Sequence, residues 1–212
     1  MRKLNREQVL EPGVLARYHN GLHNWDDVTA EDKAEIRHQL EQMQGRRCAY
    51  CEGSVDALGS HIEHFRRKGP GHFPELMFTW SNLYWSCDQP DSCGHYKDQG
   101  AGEYNVANLI EPCNHDPEAF FRFRTDGTIS IRSGLQPSDK HRAEETLRVF
   151  NLNPQWGRLR NMRKAAVSAY VEFVDGCVGM TRDELHTFFS DELAAASALP
   201  FCTAIRHVLT EV

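Results

Sequence analysis

The sequence predicts an α+β fold: a metal-held segment with short strands over 46–98, embedded in a mainly helical protein. Three observations predict it. Two close cysteine pairs bracket a stretch rich in histidine, aromatic residues and glycine. An alternating strand–turn–strand pattern follows near 121–131. Helical patterning fills most of the rest. The expected organisation is a helical segment over 1–45, the metal-held core over 46–98, a connector and hairpin over 99–138, and a helical region over 139–212 suited to docking a partner.

The N-terminal segment is mixed up to residue 28. Thr29-Ala30-Glu31-Asp32 then looks like a helix start, with acids in the first turn. That helix runs to Gln44 with Gly45 as its stop, and Ile36, Leu40 and Met43 give it a thin apolar stripe. Residues 46–98 have poor periodicity, as expected of a segment held by metal rather than by a core. After a connector containing Asn108-Leu109-Ile110-Glu111-Pro112, Phe121, Phe123, Ile129 and Ile131 alternate with Arg122, Arg124, Ser130 and Arg132 around Thr125-Asp126-Gly127. This predicts a hairpin. A short helix from about Asp139 ends before Asn151-Leu152-Asn153-Pro154. A longer one over 156–175 carries Leu159, Met162, Ala166, Tyr170 and Phe173 on one side and Arg163 elsewhere. Thr181 and Glu184 form a capping box for a third helix, which ends near Pro200.

The chain has 212 residues, 40% hydrophobic and 25% charged, enough for a real core. No apolar run is long enough to span a membrane, and the basic start MRKLNREQ has no apolar stretch behind it. The expectation is a cytoplasmic protein. The formal net charge of -6 argues against a chain that grips a long duplex unaided.

In that setting seven cysteines make a poor disulfide framework; the four in two close pairs suggest metal, and of the three that stand alone Cys177 and Cys202 read as buried small side chains. Cys48-Ala49-Tyr50-Cys51 is a two-residue-spaced knuckle, and Cys87 and Cys93 form a looser second pair. Four thiolates suit a closed, tetrahedral structural Zn2+. A redox CxxC would sit in a parallel αβ unit, which the sequence does not suggest.

Between the pairs lies Ser60-His61-Ile62-Glu63-His64-Phe65-Arg66-Arg67-Lys68. Read as a strand, it places His61, Glu63 and Phe65 on one face and Ile62 and His64 on the other. His61 reads as a surface or packing residue. Glu63 is suited to a hard divalent cation such as Mg2+, and the neutral His64 imidazole to taking a proton from water. Asn82, in an expected short strand Trp80–Trp85, would orient that imidazole. His95 would supply the second protein ligand to the ion, and Lys97 would approach a phosphate.

At these residues the chain resembles the HNH endonuclease superfamily: Cys48/Cys51, Glu63-His64, Asn82-Leu83, Cys87/Cys93, then His95 and Lys97. Over roughly 46–165 it is similar to the PtuB-like branch found in Septu-type and retron-linked antiphage systems, through CAYCE, HIEHFRRK, FTWSNLYWSC, NLIEP, DPEAFF, DGTI and ETLRVFNLN. The resemblance implies a treble-clef-like ββα-metal core, with His64 as general base, Glu63 as a ligand of a catalytic Mg2+ or Mn2+, Asn82 fixing His64, and zinc on the four cysteines. Arg66, Arg67 and Lys68 would contact phosphate. It also implies a PtuA-like ABC-type ATPase as partner and, in retron-linked members, a reverse transcriptase with its RNA–DNA product. The usual Asn or His directly after the last cysteine is Gly94 here, and Arg67 stands near the usual proline. DNA is the favoured substrate, with RNA such as transfer RNA as the alternative. A non-catalytic zinc-held binding module, or an adaptor with a decayed site, remains the competing class.

Overall fold

The computed structural model describes residues 1–211. The first 28 residues contain three short 3-10 turns, Arg6–Gln8, Gly13–Arg17 and Trp25–Asp27. Helix α1, Ala30–Gln44, begins where Thr29 Oγ1 accepts the Asp32 N–H (3.1 Å) and stops at Gly45, which takes φ 65°. Its stripe of Ile36, Leu40 and Met43 is buried. The Gln44 side chain then bonds the Trp85 backbone in both directions, N–H to Oε1 (2.9 Å) and Nε2 to carbonyl (2.9 Å). That amide ties the helix end to the strand beside it.

The core of 46–98 is an antiparallel pair, β1 (Ser60–His64) with β2 (Leu83–Cys87), preceded by one helical turn α2 (Val55–Leu58) and followed by helix α3 (Cys93–Gln99). The register sets Ser60 opposite Cys87 and Glu63 opposite Tyr84. The expected strand at 80–85 starts later, because Trp80–Asn82 is a 3-10 turn. This segment also forms much of the molecule's apolar core: Tyr50, Phe65, Leu83 and Tyr84 are fully buried. Phe150, from the helical region, stacks on Tyr50 at 4.2 Å. Poor periodicity here reflects short strands covered on both sides, not the lack of a core.

The second sheet is the expected hairpin, β3 (Phe121–Phe123) with β4 (Ile129–Ile131). Helices α4 (Pro137–Val149) and α5 (Arg158–Asp175) follow, then α6 (Arg182–Phe188), α7 (Ser190–Ala196) and α8 (Cys202–Thr210). The third predicted helix is two helices, parted at Phe189. Thr181 and Glu184 do form the capping box of α6. Helix α5 buries Leu159, Arg163, Val167 and Val174, and leaves Phe173 exposed, so its inner face is rotated from the one the apolar residues suggested. Arg163 is buried because its guanidinium finds carbonyls, Gly127 O (2.8 Å) and Leu152 O (2.7 Å), which locks α5 to the hairpin tip. None of the described helices is long and apolar enough to cross a membrane.

Candidate active site

Cys48 and Cys51 lie in a tight reversal. The Cys48 N–H donates to Gly53 O (2.9 Å), the Gly53 N–H to Cys51 Sγ (3.3 Å), and Glu52 takes φ 66°. Cys87 ends β2 and Cys93 opens α3. All four sulfurs are buried and lie within 4.8 Å of one another, with Cys51 and Cys87 Sγ 3.8 Å apart. Zn–S bonds of about 2.3 Å in a tetrahedron set sulfurs about 3.8 Å apart, so the cluster fits zinc. Burial and the three neighbouring cysteines push the Cys93 thiol well up. A cation is what lets such a set ionise together.

On one face of β1, Glu63 is buried and held from two sides. Its Oε1 meets Lys97 Nζ at 2.8 Å and its Oε2 meets His61 Nε2 at 3.2 Å. Burial pushes the Glu63 carboxyl up, but Lys97 and His61 outweigh it and hold it at about 2. Lys97 is fully buried; its ammonium also donates to His64 O (3.0 Å) and Asp98 Oδ1 (2.6 Å). Burial lowers the Lys97 ammonium, but Glu63 and Asp98 more than offset this and keep it charged. Its charge therefore faces inward, on Glu63, and not outward to a phosphate.

His64 ends β1 on the other face and is 3% exposed. Its Nε2 lies 2.9 Å from Met77 O, which fixes the proton on Nε2 and leaves the Nδ1 lone pair free. Trp25 packs edge-on against the ring at 4.4 Å. Burial, with Lys68 adding, lowers the imidazole to about 3, so it is neutral at neutral pH. The ring borders a cavity of about 290 Å³ with Arg67, Lys68, Gly69, His72 and Asp98.

Asn82 does not touch that imidazole. It accepts the Arg66 N–H (2.7 Å) and donates to Arg66 O (3.0 Å) and Leu76 O (3.1 Å). It thus clamps the chain leaving β1 to the end of the 67–76 loop, and acts on His64 through backbone. Arg6 secures the same turn, donating to Trp80 O (2.8 Å) and Leu83 O (2.9 Å). Of the three cations after His64, Arg66 lies near Glu111 (3.5 Å), Arg67 bonds Asp98 and Lys97 O over the Tyr104 ring, and Lys68 lines the cavity.

His95 lies one residue past Gly94 on α3, and its Nε2 meets Asp88 Oδ1 at 2.5 Å. The same oxygen is 3.4 Å from His61 Nδ1. His61, Asp88 and His95 form the second group of ligand-type atoms within 4.8 Å, a group that Glu63 does not join. Gly94 is where the family's usual side chain would stand. A Cβ there would fall 2.5 Å from Glu63 Oε2 and 2.8 Å from His61 Nε2, so the glycine leaves room for that pair. Sequence reading missed His61, Asp88 and Trp25. The signal for His61 was its shared strand face with Glu63, and for Asp88 its place directly after Cys87. Trp25 gave none.

Two curated proteins are similar in sequence. A Vibrio cholerae (serotype O1 biovar El Tor) protein named for retron Vc95 as an HNH endonuclease is 30% identical over 152 residues, covering 68% of this chain and 72% of the relative. The Septu protein PtuB of Bacillus mycoides (strain KBAB4) is 24% identical over 143 residues, covering 56% of this chain and 46% of the relative. A scan against protein-family models finds no match. The chain belongs to the PtuB-like HNH endonuclease family of retron and Septu defence systems, and is a nuclease.

Proposed function

We propose that the chain is the metal-dependent nuclease subunit of an antiphage complex, hydrolysing phosphodiester bonds with His64 as general base and DNA as the favoured substrate. The observation that carries this reading is the placement of the His64 imidazole. Its Nε2 proton is held by Met77 O, and it borders a cavity with Arg67, Lys68 and His72. An imidazole with one nitrogen proton fixed and one free lone pair beside a cavity is placed to take a proton from water. The antiparallel β1–β2 pair followed by α3 supports a ββα-metal core. Zinc on Cys48, Cys51, Cys87 and Cys93 would hold that core together.

His64 Nδ1 takes the proton from the attacking water. Lys68, which lines the cavity with Arg67, draws the phosphate to it. Asn82 keeps the strand end and the loop that carries Met77 in register. Residues of β1 and α3 would hold a divalent ion such as Mg2+ or Mn2+, which would supply charge stabilisation for the phosphate and the departing oxygen. The partner we assign is a PtuA-like ABC-type ATPase, joined in a retron-linked setting by a reverse transcriptase. The net charge of -6 supports this, because recognition of a long polyanion would then rest with another subunit. Cleavage of DNA and RNA by the purified complex, with Mg2+ or Mn2+ and beside His64→Ala, tests the proposal. Loss of cutting in a folded His64→Ala complex is expected, and full cutting would contradict it.

A further inference from the structure

We infer that His61 Nδ1, Asp88 and His95 Nε2 form a divalent-ion seat of two imidazoles and one carboxylate, and that Glu63 is the carboxylate behind His61 rather than a direct ligand. The inference deepens the nuclease reading and rests on it for the use of the ion, though not for its binding.

The geometry carries it. Bonds of about 2.1 Å to one ion set neighbouring ligand atoms about 3.0–3.4 Å apart. His61 Nδ1 is 3.4 Å from Asp88 Oδ1, within that range, whereas His95 Nε2 is hydrogen-bonded to the same oxygen at 2.5 Å and would move back by about half an ångström to share an ion with it. The two rings lie with centroids 4.3 Å apart. His61 Nδ1 is buried without a hydrogen-bond partner. Its other nitrogen faces the Glu63 carboxylate, which accepts the Nε2 proton, so in the neutral ring the lone pair is on Nδ1. A bare lone pair aimed at a carboxylate oxygen is repulsive until a cation sits between them. An imidazole that ligates through one nitrogen and donates to a carboxylate through the other is the usual support of a metal-bound histidine.

The chain is shaped around this arrangement. Gly94 leaves the space that Glu63 and His61 occupy. Gly59, at φ 70°, lets Asp88 turn back beside β1: its carbonyl accepts the Asp88 N–H (3.1 Å), and a Cβ there would fall 3.0 Å from Asp88 Cβ. The missing side chain after the last cysteine is thus replaced by a histidine two residues before Glu63 and an aspartate after Cys87. Two nitrogens and one carboxylate suit a first-row transition dication, whereas Mg2+ prefers oxygen. On α3, His95 and Asp98 are three residues apart and share a face, so the seat and the His64 cavity flank one side of the helix.

Mn2+ titrated into the zinc-loaded full chain and followed by continuous-wave and pulsed electron paramagnetic resonance tests this. The expected result is one Mn2+ per chain beyond zinc, with two coupled imidazole nitrogens and little displacement by equimolar Mg2+. His61→Ala and His95→Ala should each leave one nitrogen and weaken binding at least about tenfold. Asp88→Asn, at an exposed side chain, should weaken binding with both nitrogens retained. Glu63→Gln should also keep two nitrogens, with about ten- to hundredfold weaker binding. Zinc content and circular dichroism identify variants that fail to fold, and Asp88→Asn then decides. Unchanged Mn2+ affinity in folded Asp88→Asn, or a wild-type spectrum without two imidazoles, would overturn the seat. A two-nitrogen spectrum in a complex that cuts nothing supports the seat while removing the nuclease reading. Cutting by a chain without that spectrum does the reverse.

Discussion

A proton on the wrong nitrogen of His64 would end its use as a base, and the Met77 carbonyl prevents that. Because burial, assisted by Lys68, lowers this imidazole to about 3, the folded chain takes up its proton far later than the unfolded chain, where histidine titrates near 6.5. The sign follows. The stability His64 contributes is complete above about pH 6.5 and is lost as pH falls towards 3. Denaturant midpoints for wild type and His64→Gln at pH 7.5 and 5.0 should show a steeper acid loss in wild type, by about 2 kcal/mol. Equal slopes would contradict the shift. Asn82 makes a different contribution. Asn82→Ala leaves the half-buried N–H and carbonyl of Arg66 without their side-chain partner, and should cost roughly 1–3 kcal/mol by urea melting as well as lowering activity. Gly94→Asn, which restores the family's usual residue, should lower stability and activity, because Glu63 and His61 already fill that space. Residue type and order singled out the acid–histidine pair and the asparagine. What each one touches was not: Lys97 turned inward and Asn82 took backbone partners, since both follow from three-dimensional packing around Glu63 and the 66–76 loop.

Between residues 46 and 98 the elements are short, and their stability comes from two sources that the sequence displays unequally. The four cysteines are plain in spacing, and their sulfurs meet at zinc-like distances. Chelation, or Cys93→Ser, should release zinc and expose the amides of β1, β2 and α3 to hydrogen exchange, while α5 and α8 exchange little faster. Exchange unchanged in β1 and β2 after zinc loss would contradict this. The second source, stacking of Tyr50 on Phe150, joins residues a hundred positions apart and has no local signature. Phe150→Ala should cost about 3–5 kcal/mol in thermal or denaturant melts. Helix α1 was readable to its caps, because Thr29 and Gly45 encode its ends locally. The inner face of α5 was not, because a charged Arg163 is buried on two carbonyls, and polarity alone marks such a residue as outward.

Across the whole molecule, the zinc-type cluster anchors the end of β2 and the start of α3, and the helical region closes against it through Phe150, whose carbonyl accepts the Cys93 N–H (2.8 Å) and whose ring stacks on Tyr50. The chain retains large exposed apolar side chains at Trp156 (77%), Phe173 (65%) and Phe188 (66%), all in the C-terminal helical region. In the account proposed here they meet the partner. Replacing Trp156 and Phe188 by serine should leave zinc content and fold intact and weaken assembly with the ATPase by pull-down or light scattering. The net charge of -6 is consistent with a cutting subunit that relies on another chain for recognition. The account's centre remains the chemistry at β1 and α3. Its most direct test is single-turnover cleavage of DNA by the assembled complex, wild type against His64→Ala, with equal zinc content in both. The account predicts a loss of at least about a hundredfold in His64→Ala. Cleavage at the wild-type rate by the folded variant would contradict it.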